Sequence, residues 1–242
     1  MTRRARETVQ TSAGSCDLPI TYEDASLLTA MWRVDPALAQ GLMPSHLEPW
    51  SIFGKALAML CIFEYRRTSI GPYGEIGLGV LARRKGTKPS LTRVLRDLRS
   101  EEDQALWVAN LPVTTEGARA AGVEIWGYPK YVKGIETRFV RDEVRAELEG
   151  EFVLTMGKGR TVRTSGLPFV TFSMKGEHLV RTVVDVDHHV RWGGASTVDL
   201  RITGEGPTTK SIRALGIEGK RPSFVFRTDE MRSVLPRGKE LT

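Results

Sequence analysis

Apolar residues come in runs of about five to twelve, broken by glycine, proline or charge, and strand-like segments dominate. Residues 26–33 (SLLTAMWR) read as a strand. The following VDPALAQGLMP reads as a short helix, with Asp35 as its cap, Pro36 at its first position and Gly41 near its end. Residues 56–67 (ALAMLCIFEYRR) form an apolar run that turns charged. Residues 74–84 (GEIGLGVLARR) alternate less cleanly and carry Gly74, Gly77 and Gly79. DQALWVANLPV reads as a central strand. TTEGARAAG, residues 114–122, reads as a short helix opened by Thr114 or Thr115 and stopped by Gly122. The second half reads as ribbons. GIETRFVRDE and VRAELEGEFVLTMG form hairpin strands, and LPFVTFSMKGEHLVRTVVDVDHHVRW forms two long strands turned at Lys175 and Gly176. STVDLRI and PSFVFRTDEMRSVL are the last two. About ten strands with two or three short helices predict an α+β protein, mostly antiparallel, closed as a barrel or stacked as two sheets.

Residues 1–19 are polar and end at Pro19, which predicts a mobile leader; a single domain is expected over 20–242. Hydrophobic residues make up 40% of the chain, enough for a sizeable core without disulfide or metal staples. Two separated cysteines, Cys16 and Cys61, read as unpaired. No secretory signal and no membrane-length apolar run are visible, so a soluble, reducing, cytoplasmic setting is the default.

A net charge of +6 is a mild excess. The basic cluster RRKGTKP at 83–89 is short and reads as a solvated loop, so nucleic-acid binding is not expected. GxGxxG, GxxxxGK[ST] and GxSxG motifs are missing, and Ser165 reads as a turn residue. His188 and His189 are strand neighbours pointing to opposite faces, and no metal-ligand spacing exists; Asp185 and Asp187 share a face that reads as a polar strand edge.

The segment GVEIWGYPKYVKG, residues 122–134, sets Lys130 among Trp126, Tyr128 and Tyr131, with Gly127 and Pro129 bending the chain. Such a lysine is either a surface group whose stem lies on aromatic rings or a desolvated amine with a depressed pKa, able to attack a carbonyl. Two glutamates bear on the choice. By strand period Glu64 shares a face with Ala58, Leu60 and Ile62. Glu75 shares its face with Gly77 and Gly79, which leave room for a ligand or for neighbouring backbone. The alternative is that both pair with Arg66, Arg67, Arg83 or Arg84.

At these residues the sequence resembles the acetoacetate decarboxylase-like family. The likeness lies in EIWGYPK (124–130) after LPVTTEGARAAG, in the IFE ending at Glu64, in the YGE ending at Glu75, and in WRVD followed by LMPSHLEP. The resemblance implies that Lys130 is the Schiff-base nucleophile and that Glu64 and Glu75 are active-site carboxylates. The family's second lysine, directly after the nucleophile, is here Tyr131. That departure points toward the family's aldolase-dehydratase-like branch.

The chemistry implied is attack of Lys130 on a keto acid, loss of water to an iminium, and breakage of a bond beta to the nitrogen. Glu75 is then the proton-transfer group and Glu64 orients the nucleophile's surroundings. Tyr131, Arg33 and Trp126 are expected at the substrate, Arg33 as counter-ion to its carboxylate. An iminium is its own electron sink, so no cofactor or metal is expected; the partner is a small keto acid, and a homo-oligomer is implied. Decarboxylation and aldol condensation with dehydration share the first step. The rivals are a non-catalytic binder of small carboxylates on the same scaffold and a polyanion-binding protein.

Overall fold

The computed structural model describes residues 7–87, 102–141, 143–166, 168–187 and 189–241. Its centre is a closed barrel of seven strands: β3 (Ile20–Val34), β5 (Ala56–Thr68), β6 (Tyr73–Arg84), β7 (Gln104–Val113), β13 (Phe169–Lys175), β14 (His178–Asp187) and β17 (Phe224–Leu235). The order is β17-β3-β5-β6-β7-β13-β14, and pairing of Asp185–Asp187 with Arg232–Val234 returns β14 to β17. Six of the seven junctions are antiparallel; β7 and β13 are parallel. Closure leaves none of these seven strands as a free edge along that ladder.

A second, four-stranded antiparallel sheet packs on the outside. It comprises β16 (Val198–Ile202), β11 (Phe152–Met156), β10 (Glu143–Leu148) and β9 (Ile135–Val140), in that order. Val144, Ala146 and Leu148 of β10 are buried while Glu143 and Arg145 are exposed, the alternation of a strand with one wet face. The buried face meets Leu60 and Ile62 of β5 and Ile76 of β6, together with Ile212 of a helix, α3 (Pro207–Ala214). The barrel strands carry longer apolar runs because both their faces are covered. In β3, every residue from Ala25 to Trp32 is buried. Leu28, Ala30 and Trp32 face the outer core, and Ala25 and Leu27 face the barrel interior.

Two further helices match the sequence reading. The first, α1 (Pro36–Gln40), has Asp35 accepting from the Ala37 N–H, and its chain turns at Gly41. The second, α2 (Glu116–Trp126), is capped by Thr115, which accepts from the Ala118 N–H. It runs past Gly122, where the sequence predicted its end, and stops at Gly127, a left-handed residue with φ 68°. Any side chain at 127 would run into the Met174 carbonyl. The turn at Gly176 is as read, with φ 59° between β13 and β14.

Several expectations are corrected. Residues 7–18 of the expected leader form a hairpin, β1 (Glu7–Thr11) with β2 (Gly14–Leu18). Cys16 and Leu18 are buried in the interior core, and the Ser12 N–H donates to the Glu124 carboxylate of α2 at 3.0 Å. The second of the two long strands ends at Asp187, and His189–Gly193 form a separate strand, β15, paired with β12 (Thr161–Ser165) and β17. Ser165 therefore ends a strand. Asp185 and Asp187 lie on the ladder that closes the barrel instead of on an open edge. The remaining short strands, β4 (Leu47–Pro49), β8 (Lys130–Val132) and β18 (Lys239–Leu241), raise the count above the ten expected.

Candidate active site

Lys130 opens β8, which runs parallel to the end of β7 and pairs Lys130 with Leu111. The segment between α2 and β8 is the bent piece Gly127–Pro129. The stem of Lys130 lies back across α2 at Gly122: a Cβ on that glycine would stand 2.3 Å from Lys130 Cδ and 2.6 Å from Cε. Glycine inside a helix costs about 1 kcal/mol relative to alanine. Here it clears the path of the lysine, which is why the helix contains it and does not end on it.

The amine ends inside the barrel. The Lys130 side chain is 6% exposed and Nζ donates to Glu75 Oε2 at 2.6 Å; the Glu75 side chain is 9% exposed. Glu75 faces inward because β6 sets Tyr73, Glu75 and Gly77 on one face. The Tyr65 hydroxyl donates to Glu75 Oε1 at 3.3 Å, and Nζ stands 5.6 Å from the Tyr73 ring centre. The Tyr22 and Tyr73 hydroxyls are 3.0 Å apart, and the Tyr22, Tyr65 and Tyr73 rings pack at centroid distances of 4.6 to 6.4 Å. Burial raises all three phenols far above their ordinary pKa, and the Glu75 charge raises them further. They are therefore protonated donors. Cys61 is pushed up to about 12 by burial, so its thiol is not a ready thiolate.

A cavity of about 90 Å³ adjoins the pair, and all seven barrel strands contribute to its lining. Its polar end holds Lys130, Glu75, Tyr65 and Tyr22, and the Tyr128 hydroxyl is 2.6 Å from Thr171 Oγ1. Gly77 lines it, and a Cβ there would stand 3.1 Å from Leu111 Cδ1. Gly79, past a register shift, instead makes room for the Trp107 carbonyl. The two glycines thus divide the roles foreseen for them, one beside open space and one beside backbone.

Of the six predicted site residues, the structure brings together Lys130 and Glu75. Glu64 shares its face with Leu60 and Ile62 as read, but that face is the outer wall. Its carboxylate pairs with Arg66 at 2.8 Å and accepts from Thr137, outside the cavity. Tyr131, one residue past Lys130, points the other way. Its hydroxyl is 2.7 Å from Thr208 Oγ1 and 3.5 Å from Glu151 Oε1. Burial pushes its phenol up to about 12. Trp126 is fully buried behind the site, stacked on Tyr128, with Nε1 donating to the Pro236 carbonyl. Arg33 is exposed. It lies four residues beyond Thr29, the partner of cavity-lining Cys61, roughly 13 Å further along β3.

Tyr22, Tyr65 and Tyr73 were missed. The signal was present for two of them: Cys61, Phe63 and Tyr65 alternate along β5, and Tyr73 is two residues before Glu75. Among the described residues no group of three or more His, Cys, Asp or Glu is placed to hold a metal ion. His188 lies outside the described residues, as do Lys88 and Pro89 of the basic cluster; Arg83 of that cluster pairs with Glu48 at 3.0 Å. No helix among the described residues is long and apolar enough to cross a membrane.

A mostly antiparallel barrel holding a buried amine against a carboxylate defines a class of fold and site. Residues 6–186, about three quarters of the chain, match the model of the acetoacetate decarboxylase (ADC) family. The chain belongs to that family. Solved structures with the same fold include an acetoacetate decarboxylase from Legionella pneumophila, at TM-score 0.68 and 17% identity, covering 100% of this chain and 92% of that one. The enduracididine biosynthesis enzyme MppR complexed with pyruvate matches at TM-score 0.62 and 16% identity, covering 93% and 90%. An acetoacetate decarboxylase-like enzyme from Sphingomonas wittichii matches at TM-score 0.60 and 16% identity, covering 93% and 94%. No curated protein sequence matches the chain.

Proposed function

We infer that the protein is a lysine Schiff-base lyase acting on a keto acid. The observation that carries this reading is the Lys130 amine, enclosed in the barrel 2.6 Å from Glu75 and beside open space. A proton passing from Nζ to Glu75 leaves a neutral amine next to a neutral acid, and no charge is stranded in the low-dielectric interior. The amine attacks the substrate ketone to give a carbinolamine. Glu75 returns the proton to the carbinolamine oxygen, water leaves, and an iminium forms against the Glu75 carboxylate.

The iminium accepts the electrons of a bond beta to nitrogen. In a beta-keto acid that bond joins the carboxylate carbon, so carbon dioxide leaves and an enamine remains. The enamine takes a proton on carbon, and water then releases the ketone and restores Lys130. Tyr65, a protonated donor touching Glu75, lies on the route by which that proton is supplied. The alternative outcome, aldol condensation with dehydration, uses the same enamine against an aldehyde. Tyr131 faces away from the cavity, so its side chain touches neither outcome's reacting groups.

The test is reductive trapping. The protein is incubated with acetoacetate or pyruvate, reduced with borohydride and digested. The expected mass adduct is on a peptide containing Lys130 and is absent from Lys130→Ala. Carbon dioxide release from acetoacetate then separates decarboxylation from aldol chemistry. Saturable ligand binding without any reducible adduct overturns the reading in favour of a non-catalytic binder.

A further inference from the structure

Two barrel strands change phase beside the cavity. In β3, Leu28, Ala30 and Trp32 face outward, so an unbroken period of two would turn Tyr22 outward as well. Tyr22 instead faces the interior with Ala25 and Leu27. In β17, Val225 faces outward, yet Met231, Ser233 and Leu235, on the same period, line the cavity. The ladder between the two strands accounts for both. Thr228 to Met231 is three steps of β17 against two of β3, from Leu27 to Ala25; Met231 to Ser233 is two steps against three, from Ala25 to Tyr22. Each strand thus carries one extra residue, a bulge, and the two bulges lie side by side. A bulge re-aims side chains and leaves ladder groups without their usual partners.

Arg66 of β5 reaches both bulges. Its Nε and Nη2 donate to the Asp24 carboxylate, in the bulged stretch of β3, at 3.0 and 2.6 Å. Nη2 also donates to the Asp229 carbonyl, in the bulged stretch of β17, at 3.2 Å. Nη1 donates to Ser26 Oγ at 2.7 Å and to Glu64 at 2.8 Å. The Arg66 and Asp24 side chains are 38% and 45% exposed, so their attraction adds little to global stability. What a two-pronged arginine–carboxylate contact supplies is fixed geometry.

We propose that Arg66 is a positioning residue: from outside the barrel it clasps the paired bulges of β3 and β17 and so keeps Tyr22 turned in against the Lys130–Glu75 pair. Inside, the Tyr22 hydroxyl is 3.0 Å from that of Tyr73, whose ring centre lies 5.6 Å from Nζ. The Tyr22 ring packs 4.6 Å from that of Tyr65, the donor to Glu75. The effect on the reaction rests on the Schiff-base reading of Lys130; the placement of Tyr22 does not.

The protein is produced with 3-fluorotyrosine, which labels its five tyrosines, and the Tyr22 fluorine resonance is assigned by its loss in Tyr22→Phe. Arg66→Met is expected to move that resonance toward its position in the unfolded chain and to leave those of Tyr128 and Tyr131 in place. Borohydride trapping at Lys130, with acetoacetate or pyruvate, is the second readout. Tyr22→Phe is expected to slow trapping about fivefold in the parent, the worth of one hydrogen bond, and about twofold or less in Arg66→Met, where the hydroxyl has already left the site. Asp24→Asn, at a half-exposed position, gives the same readouts where Arg66→Met does not fold. A Tyr22 resonance unmoved in the folded variant, or Tyr22→Phe acting alike in both backgrounds, overturns the clasp and leaves the Schiff-base reading standing. A parent that gives no Lys130 adduct overturns the Schiff-base reading, and the fluorine shift alone then decides the clasp.

Discussion

Two buried carboxylates lie on opposite sides of β8, and neighbouring residues of that strand touch them. Glu75, inside the barrel, is matched by the Lys130 ammonium and adjoins the cavity. Glu151, in the turn between β10 and β11, is fully buried and faces the first turn of α3. There it accepts from the Thr209 N–H at 2.9 Å and from Tyr131, and a Cβ on Gly206 would overlap it. A helix N-terminus supplies fixed N–H donors and a favourable dipole, so the Glu151 carboxylate is held in place by groups that do not move. Glu75 faces the Lys130 Nζ and adjoins open volume. Burial alone therefore does not tell the two carboxylates apart; the lysine partner and the adjoining cavity do.

Removing both members of the barrel pair gives the largest expected effect. In Lys130→Met with Glu75→Leu, adduct formation is lost entirely, while stability stays level or rises by about 1–4 kcal/mol, as when other buried pairs are replaced by apolar groups. Thermal melting and borohydride trapping measured on the same sample check this. A large loss of stability would show the pair to be structural, like Glu151.

Glu75→Gln keeps the shape of the site and removes its proton exchange. Trapping at Lys130 should slow by about 10²–10⁴-fold, and a rate within threefold of the parent would remove Glu75 from the mechanism. Gly122→Ala comes next. Its methyl displaces the stem of a buried, ion-paired lysine, a loss that outweighs the gain of about 1 kcal/mol in helix propensity, so stability and trapping should both fall. A variant as reactive as the parent would show that the lysine does not depend on that path.

On the other side of the strand the order reverses. Glu151→Gln should lower stability by about 1–3 kcal/mol, read by denaturant unfolding, with trapping changed only a few-fold. The smallest effect is expected for Tyr131→Phe. Burial raises the folded-state pKa of this phenol to about 12, so the unfolded chain loses its proton first as pH rises. The stability involved is present below the unfolded value near 10 and is lost as pH climbs from there toward 12. The Phe variant should show a shallower loss over that window. Equal slopes would mean that Tyr131 titrates alike in both states.

Part of this difference was open to sequence reading. The motif around Lys130 and the spacing of Glu75 with Gly77 pointed to the pair that the barrel brings together. Glu64 and Tyr65 show where that kind of reading stops. Both follow a continuous apolar run, and period-two alternation separates their faces without saying which face is which. The carboxylate attracted the functional assignment, yet Tyr65 meets Glu75 and Glu64 meets Arg66 outside. Gly122 misled for a related reason: a glycine near a helix end reads as a stop, and nothing local reveals that a lysine stem eight residues on lies across it.

The chain by itself determined the local elements, because capping, turn chemistry and hydrophobic period act over a few residues. It located the apolar cores of the barrel strands, though not all of their ends, the Asp35 and Thr115 caps, the turn at Gly176, and the lysine and glutamate worth watching. Only the tertiary structure decided that the sheet closes on itself through β14 and β17, that a second sheet covers one wall, and that the N-terminal segment folds onto α2. Those are contacts between residues far apart in sequence. A strand buried on both faces does not announce its partners, and inside and outside exist only once the ring is closed.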